Sequence, residues 1–121
     1  MYLTQALHRA LQQHPNQIAV HFGQRSKTFA ELADRVARLA GALQSLGVGT
    51  GDRVAMLALN SDRYLEYQMA IPWAGAVLNP CNIRWSVAEI AYSLNDSGST
   101  VLFVDEAFKA MIEPLKKDSH T

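Results

Sequence analysis

The residues best placed to do chemistry lie between Asn79 and Trp85, where Asn79, Asn82, Arg84 and Trp85 separate a predicted strand from the next predicted helix. In an open parallel sheet, ligands bind at the carboxyl ends of the strands. An arginine there, beside a helix N-terminus, suits an anionic group such as a phosphate. A second reading stands beside it: Asn79 and Asn82 shape the turn, and Arg84 caps a carbonyl. Other chemical-looking runs fail on context. Gly47-x-Gly49-x-Gly51 has the glycine spacing of a dinucleotide loop, but that loop needs a strand before it and a helix after it. Here a helix precedes and a strand follows, so the glycines read as a helix stop and a tight turn. Asp96-Ser97-Gly98-Ser99-Thr100 is rich in hydroxyls, yet it contains no lysine and leads into a strand. His8, His14, His21, His120 and the single Cys81 offer no metal-ligand pairing on a predicted face. His8 and His14 read as solvated positions on a surface helix. No Ser–His–Asp set with a nucleophile elbow occurs. The acids Asp34, Glu66, Glu89 and Asp105 are scattered along the chain.

The elements that must position these residues follow from periodicity. Leu3, Ala6, Leu7, Ala10 and Leu11 have helical spacing, and Pro15 restricts His14 and ends the helix. Ile18 to Phe22 reads as a strand, Gly23-Gln24 as a turn, and Lys27 to Phe29 as the returning strand of a small hairpin. Thr28 and Glu31 form a capping-box pattern. The helix it opens carries Leu32, Val36, Leu39, Leu43 and Leu46 on one face and stops at Gly47. Glu31–Arg35 and Asp34–Arg38 are spaced for i,i+4 pairs on its solvated face. Arg53 to Leu59 opens an apolar run without polar alternation, as expected of a strand covered on both faces. Ser61 caps a helix from Asp62 to Ala74 that Gly75 ends; Ala76 to Leu78 is a second apolar strand. Ser86 and Glu89 repeat the capping-box pattern before a helix to Asn95, and Thr100 to Val104 is a third apolar strand. Phe108, Met111, Ile112 and Leu115 predict a final helix that Pro114 kinks or shortens, and Lys116 to Thr121 reads as a polar, frayed tail. Two consecutive βαβ units predict an α/β fold. It is a three-layer unit with a small parallel sheet and right-handed crossovers, plus an N-terminal helix and a short hairpin.

Composition bounds the function classes. The chain has 121 residues, enough for one domain or less, with 49% hydrophobic and 18% charged residues. Eleven basic side chains balance eleven acidic ones, so the charge gives no footprint for nucleic acid or an anionic membrane. One cysteine cannot build a disulfide scaffold and fits a reduced, cytoplasmic setting. Polar Gln5, His8, Arg9, Gln12 and Gln13 interrupt the N-terminus, which therefore lacks the pattern of a signal peptide. The longest apolar run, Met69 to Leu78, falls far short of the ~20 residues that span a bilayer. That run is apolar nearly all round. It reads either as core or as a face built for another domain or a second copy of the chain. Full burial within one chain favours a free-standing module; exposure favours a piece of a larger enzyme.

Four blocks give the chain a resemblance to a known family. They are Lys27-Thr28-Phe29-Ala30-Glu31-Leu32 with the helix from Arg35 to Ala40, and Leu46-Gly47-Val48 followed by Gly51-Asp52-Arg53-Val54-Ala55. The third is Asn60-Ser61 with Tyr64-Leu65-Glu66. The fourth runs from Pro72-Trp73-Ala74-Gly75-Ala76-Val77-Leu78-Asn79-Pro80 through Asn82-Ile83-Arg84-Trp85-Ser86 to Glu89-Ile90-Ala91-Tyr92-Ser93-Leu94. In order and spacing they resemble the N-terminal part of an acyl-CoA synthetase, long- or medium-chain fatty acid branch, of the acyl-adenylate-forming AMP-binding superfamily. The resemblance implies an ATP-dependent ligase that adenylates a carboxylate with Mg2+ and then forms a thioester with CoA. It implies that residues 1–115 are part of the N-terminal subdomain of that fold, with 116–121 as a tail. Such enzymes are several times longer. Their phosphate loop with its lysine, Thr-Glu block, ribose-binding aspartate and catalytic lysine match no residue here, so the resemblance implies that this chain alone is inactive and binds none of these cofactors tightly. One position carries over: Arg84 stands where similar ligases place an arginine near the nucleotide phosphate of CoA. A free-standing binding or interaction module is the rival reading. Self-association through Met69–Leu78 is the expected consequence if that segment is left uncovered.

Overall fold

The computed structural model describes residues 4–121. Helix α1 (Gln5–Gln13) leads into a hairpin of β1 (Ile18–Phe22) and β2 (Arg25–Thr28), then α2 (Phe29–Ser45). There follow β3 (Arg53–Leu57), α3 (Asp62–Trp73), β4 (Val77–Pro80), α4 (Val87–Ser97) and β5 (Val101–Val104). A 3-10 segment (Glu106–Met111) and α5 (Ile112–Asp118) complete the chain. The expected Leu3 position of the first helix lies outside the described residues.

The three-stranded sheet has the order β4-β3-β5, all parallel. The first crossover moves the chain to one side of β3, and the second carries it back to the other side. The connections therefore diverge between β3 and β5, which makes that boundary the topological switch point. The central strand explains the missing alternation in its sequence, because both of its faces are covered. Val54, Met56 and Ala58 pack with Leu43, Tyr67 and Ile71 of α2 and α3. Ala55 and Leu57 pack with Ile90, Ala91, Leu94 and Leu115 of α4 and α5. A third cluster, with Leu7, Leu32, Val36 and Ala70, fastens α1 and the outer side of α2 to α3. The α/β class, the parallel sheet, the hairpin and all three crossover-unit strands agree with expectation.

Both capping boxes are formed. Thr28 Oγ1 accepts from the Glu31 N–H at 3.1 Å while Glu31 Oε1 accepts from the Thr28 N–H at 3.0 Å. Ser86 and Glu89 repeat the arrangement at 3.2 and 3.1 Å. Gly47 follows α2 at φ 91°, a conformation that suits the residue after a helix C-cap.

Five details differ from expectation. The returning hairpin strand is Arg25–Thr28, which starts two residues and ends one residue before Lys27–Phe29, because Phe29 already opens α2 and Thr28, the last residue of the ladder, caps it. Arg35 does not pair with Glu31, whose carboxylate is taken by the capping box; it reaches Glu66 on α3 instead. The final helix is interrupted: Phe108 has non-helical φ/ψ, and α5 begins at Ile112. Pro114 then falls in the first turn of α5, where no intrahelical N–H is needed. The stretch from Lys116 is not frayed. Lys116–Asp118 continue α5, the His120 N–H donates to Asn95 Oδ1 at 2.9 Å, and Thr121 Oγ1 donates to the Ser99 carbonyl at 2.9 Å. His8, though exposed, is not merely solvated; its ring stacks on Trp73 with centroids 4.2 Å apart.

Candidate functional site

The β4–α4 loop is held at both ends and presents one cation between them. At its start the Cys81 N–H donates to the Met56 carbonyl at 2.8 Å, tying the loop to the carboxyl end of β3. At its end Ser86 caps α4. Between them Asn82 makes a tight turn: its Oδ1 accepts from the Arg84 N–H at 2.9 Å, and its carbonyl accepts from the Trp85 N–H at 3.1 Å. The turn leaves Arg84 exposed, and its guanidinium makes no hydrogen bond or ion pair among the described residues. Asn82 therefore does shape the turn, whereas no carbonyl is capped by Arg84. Asn79 points elsewhere. Its Nδ2 donates to Ser97 Oγ at 2.9 Å and Ser99 Oγ at 3.0 Å, which fixes β4 to the end of α4. The hydroxyl run 96–100 is thus a helix-to-strand turn with an internal partner. Beneath it, the Tyr67 hydroxyl donates to the Val54 carbonyl at 2.7 Å and accepts from the Asn79 N–H at 3.1 Å. Burial pushes the Tyr67 phenol and the Cys81 thiol above their ordinary pKa ranges, so both stay protonated at neutral pH.

A second feature of the same sheet end is a cavity of about 650 Å³ at the switch point. Its walls include Phe22, Arg25, Arg63, Glu66, Phe103 and Asp105. Asp105 closes the strand ends: its N–H donates to the Leu57 carbonyl at 2.9 Å, and its Oδ2 accepts from the Leu59 N–H at 3.2 Å. Arg84 is not among the lining residues. The acids that look scattered in sequence separate by role. Glu89 belongs to a capping box, and Asp34 pairs with Arg38 at 2.9 Å on the surface. Asp105 and Glu66 both line the cavity.

Sequence reasoning missed the charge network behind that wall. Asp62 and Glu66, with side chains 2% and 7% exposed, lie one turn apart on α3. Asp62 accepts from Arg25 at 2.6 Å and from Lys27 at 3.3 Å. Glu66 takes Arg35 through two bonds, 2.6 Å to Nε and 3.0 Å to Nη2, and Arg63 Nη1 at 3.3 Å. The local signals are the i,i+4 spacing of the two acids on α3 and the i,i+3 spacing of Arg63 and Glu66. The network joins β2, α2 and α3: four cations, Arg25, Lys27, Arg35 and Arg63, share the two carboxylates of Asp62 and Glu66, so it ties the elements together and leaves positive charge in excess beside the cavity that Arg25 and Arg63 line. Among the described residues, no three His, Cys, Asp or Glu side chains gather to hold a metal ion. Nor is any helix long and apolar enough to cross a membrane. Gly47-x-Gly49-x-Gly51 is a turn: the Gly49 N–H donates to Asp52 Oδ2 at 2.7 Å and the Gly51 N–H to the Gly75 carbonyl at 3.0 Å.

Comparison with known proteins agrees with this architecture. The family model described as AMP-binding enzyme matches residues 7–121. The chain is 45% identical over 94 residues to a long-chain-fatty-acid–CoA ligase of Thermus thermophilus, a match covering 78% of this chain and 17% of the relative. It is 49% identical over 88 residues to a feruloyl-CoA synthase of Amycolatopsis, covering 73% of this chain and 18% of that protein. It thus spans less than a fifth of the length of these curated relatives. Among solved structures, a putative long-chain-fatty-acid CoA ligase from Rhodopseudomonas palustris superposes with a TM-score of 0.91 at 28% identity, over 98% of this chain and 30% of that one. An anthranilate CoA ligase in complex with anthranoyl-AMP gives 0.89 at 28% identity, over 94% and 22%. In sequence and in fold, the chain belongs to the AMP-binding enzyme family.

Proposed function

We propose that this chain is the N-terminal part of an ATP-dependent fatty acid–CoA ligase working in the cytosol, and that it does not catalyse by itself. In such an enzyme the carboxylate oxygen attacks the α-phosphorus of ATP, with Mg2+ neutralising the phosphates, and pyrophosphate leaves. The thiol of CoA then attacks the acyl carbon, and AMP leaves with the bonding electrons. Residues 1–115 belong to the N-terminal subdomain in this reading, and 116–121 end α5 and fold back onto it through Asn95 and Ser99. A fatty acid is the proposed carboxylate, a choice supported by the Thermus and Rhodopseudomonas relatives. The observation that carries a role for this segment is the exposed guanidinium of Arg84, unpaired among the described residues on a loop fixed at both ends. A cation held this way suits a phosphate of the CoA nucleotide, by charge-assisted hydrogen bonding.

The test is ATP–pyrophosphate exchange by the 121-residue chain with a panel of fatty acids, alongside CoA titration followed by NMR. No carboxylate-dependent exchange above a no-protein control is expected, and CoA binding should be weak and lost in Arg84→Ala. Robust exchange, or CoA shifts unchanged by the substitution, would contradict the reading. A free-standing interaction module is the second reading, and one observation favours it. Ala70, Ile71, Ala74 and Ala76 of the apolar Met69–Leu78 segment are buried within the single chain, with Val77 left exposed. By the burial criterion the segment is mostly core.

A further inference from the structure

The switch-point cavity opens at the carboxyl ends of two parallel strands. Leu59, Asn60 and Ser61 bound it after β3, and Asp105 and Glu106 bound it after β5. Doubly wound sheets bind their ligands at this place. Its volume of about 650 Å³ falls within the ~300–1,000 Å³ of small-molecule sites. The cavity is polarised. On one wall stand Arg25 and Arg63, which share the carboxylates of Asp62 and Glu66 with Lys27 and Arg35. Arg25 is fixed twice: its Nη2 donates to Asp62 Oδ1 at 2.6 Å, and its guanidinium lies over the Phe22 ring, 5.5 Å from the centroid. Its Nε and Nη1 donate to nothing among the described residues. Arg63 uses only Nη1, on Glu66 Oε1 at 3.3 Å, so its Nε and Nη2 are likewise without a partner among the described residues. Both side chains are nearly half exposed, which keeps these donors within reach of a ligand. The other wall offers acceptors. Asp105 commits Oδ2 to the Leu59 N–H, and the exposed Glu106 carboxylate makes no hydrogen bond or ion pair among the described residues.

We propose that this cavity binds a small phosphate monoester that also carries hydroxyl groups, a ligand of the sugar-phosphate class. The phosphate takes the Arg25 and Arg63 side, and the hydroxyls donate to Asp105 and Glu106. Charge selects the anion. Four cations on two carboxylates leave two positive charges in excess on that wall. A phosphate monoester, at about −1.5 to −2 near neutral pH, matches that excess, whereas a carboxylate carries a single charge. Guanidinium groups also fit phosphate oxygens in paired, charge-assisted hydrogen bonds. The contacts of Arg25 with Asp62 and Phe22 already order its side chain, so less freedom is lost when a ligand arrives. The far wall selects the rest of the molecule. Asp105 and Glu106 repel a second anionic group and accept from hydroxyls, while a plain fatty carboxylate has no donor to give them. This site goes beyond the ligase role proposed above and does not depend on it, because Arg84 takes no part in lining the cavity.

NMR titration of the isotope-labelled 121-residue chain with ribose 5-phosphate, inorganic phosphate, ribose and octanoate tests the proposal. Ribose 5-phosphate should bind most tightly of the four and shift the amide signals of Asn60, Arg63, Phe103 and Glu106. Arg63→Gln should weaken its binding on the order of tenfold, because a charge-assisted hydrogen bond is lost. Glu106→Gln should narrow its advantage over inorganic phosphate. Lys116→Ala, which removes a surface cation of α5, should change neither. The proposal is overturned if ribose 5-phosphate does not bind, if inorganic phosphate binds as tightly, or if octanoate binds more tightly. Shifts confined to the loop around Arg84 would overturn it as well. Should Arg63→Gln fail to fold, the shift map of the unsubstituted chain decides the question.

Discussion

Charged residues of this chain divide into those that meet water and those that meet each other across the fold, and only the first kind is legible in sequence. Asp34–Arg38 is visible from spacing alone and is exposed on both sides, 60% and 80%. Glu66 looks like one more surface acid, yet its side chain is 7% exposed and its bidentate partner lies 31 residues upstream. Asp62 takes partners 35 and 37 residues upstream. No window of local sequence contains both halves of such a pair, so the network appears only once α2, α3 and the hairpin are assembled. The two kinds of pair should respond differently to truncation. Glu66→Ala removes the buried acceptor and leaves Arg35, Arg63 and Lys27 facing one another, so we expect a loss of about 2–3 kcal/mol. The cations are partly exposed and can turn to water, which keeps the loss below that of a fully buried pair. Arg38→Ala should change stability by less than about 0.5 kcal/mol. Urea unfolding of the two variants checks the contrast, and equal effects would mean that the network is no stronger than a surface pair. Arg84 was legible as a candidate because its value lies in local context, on a loop between a strand and a capped helix.

Elements were more legible than partners, because their signals are local. The two Ser/Thr-x-x-Glu boxes set the starts of α2 and α4, and the unbroken apolar run marked β3 as the central strand. The last helix was misjudged because Phe108, Met111, Ile112 and Leu115 keep helical spacing while the backbone does not. The Phe108 N–H is bonded to the Asp105 carbonyl in a tighter turn, and α5 has to start afresh at Ile112. Spacing reports which side of a segment is apolar; it does not report a break that preserves that side. Glycines offer a test at this scale with opposite signs. Gly75 ends α3 at φ 80°, and a Cβ there would meet Thr50 Oγ1 at 3.4 Å. Gly75→Ala should destabilise by about 1–2 kcal/mol through the left-handed backbone alone. Gly41 sits in the exposed middle of α2 with nothing within 4 Å of an added Cβ. Gly41→Ala should therefore stabilise by about 0.5–1 kcal/mol. Thermal midpoints should move in opposite directions, and a shared direction would count against the helix-stop role of Gly75.

For the molecule as a whole, three apolar clusters share the work of burial, and among the described residues no buried side-chain nitrogen or oxygen lacks a partner. Its stability should fall at alkaline pH. Burial raises the Cys81 thiol, so the folded state holds that proton to higher pH than the unfolded chain does. The contribution is intact below the ordinary thiol pKa of ~8.5 and declines as pH rises above it, when the unfolded chain ionises first. Tyr64 and Tyr67, also raised by burial, add a loss of the same sign nearer the phenol range. Urea midpoints should drop between about pH 7 and about pH 9.5, and Cys81→Ala should flatten the first part of that drop. A midpoint that held steady or rose would contradict the burial of the thiol. The sheet order has a further consequence, one of time. Both neighbours of β3 come later in the chain than β3 itself. At about 5–20 residues per second, the stretch from Leu57 to Val104 takes a ribosome roughly 2–9 s to make. For those seconds the strand that ends up most deeply buried is complete, with α2 and α1 already behind it but neither strand partner yet available. The nascent chain passes through its most adhesive state before the sheet can form.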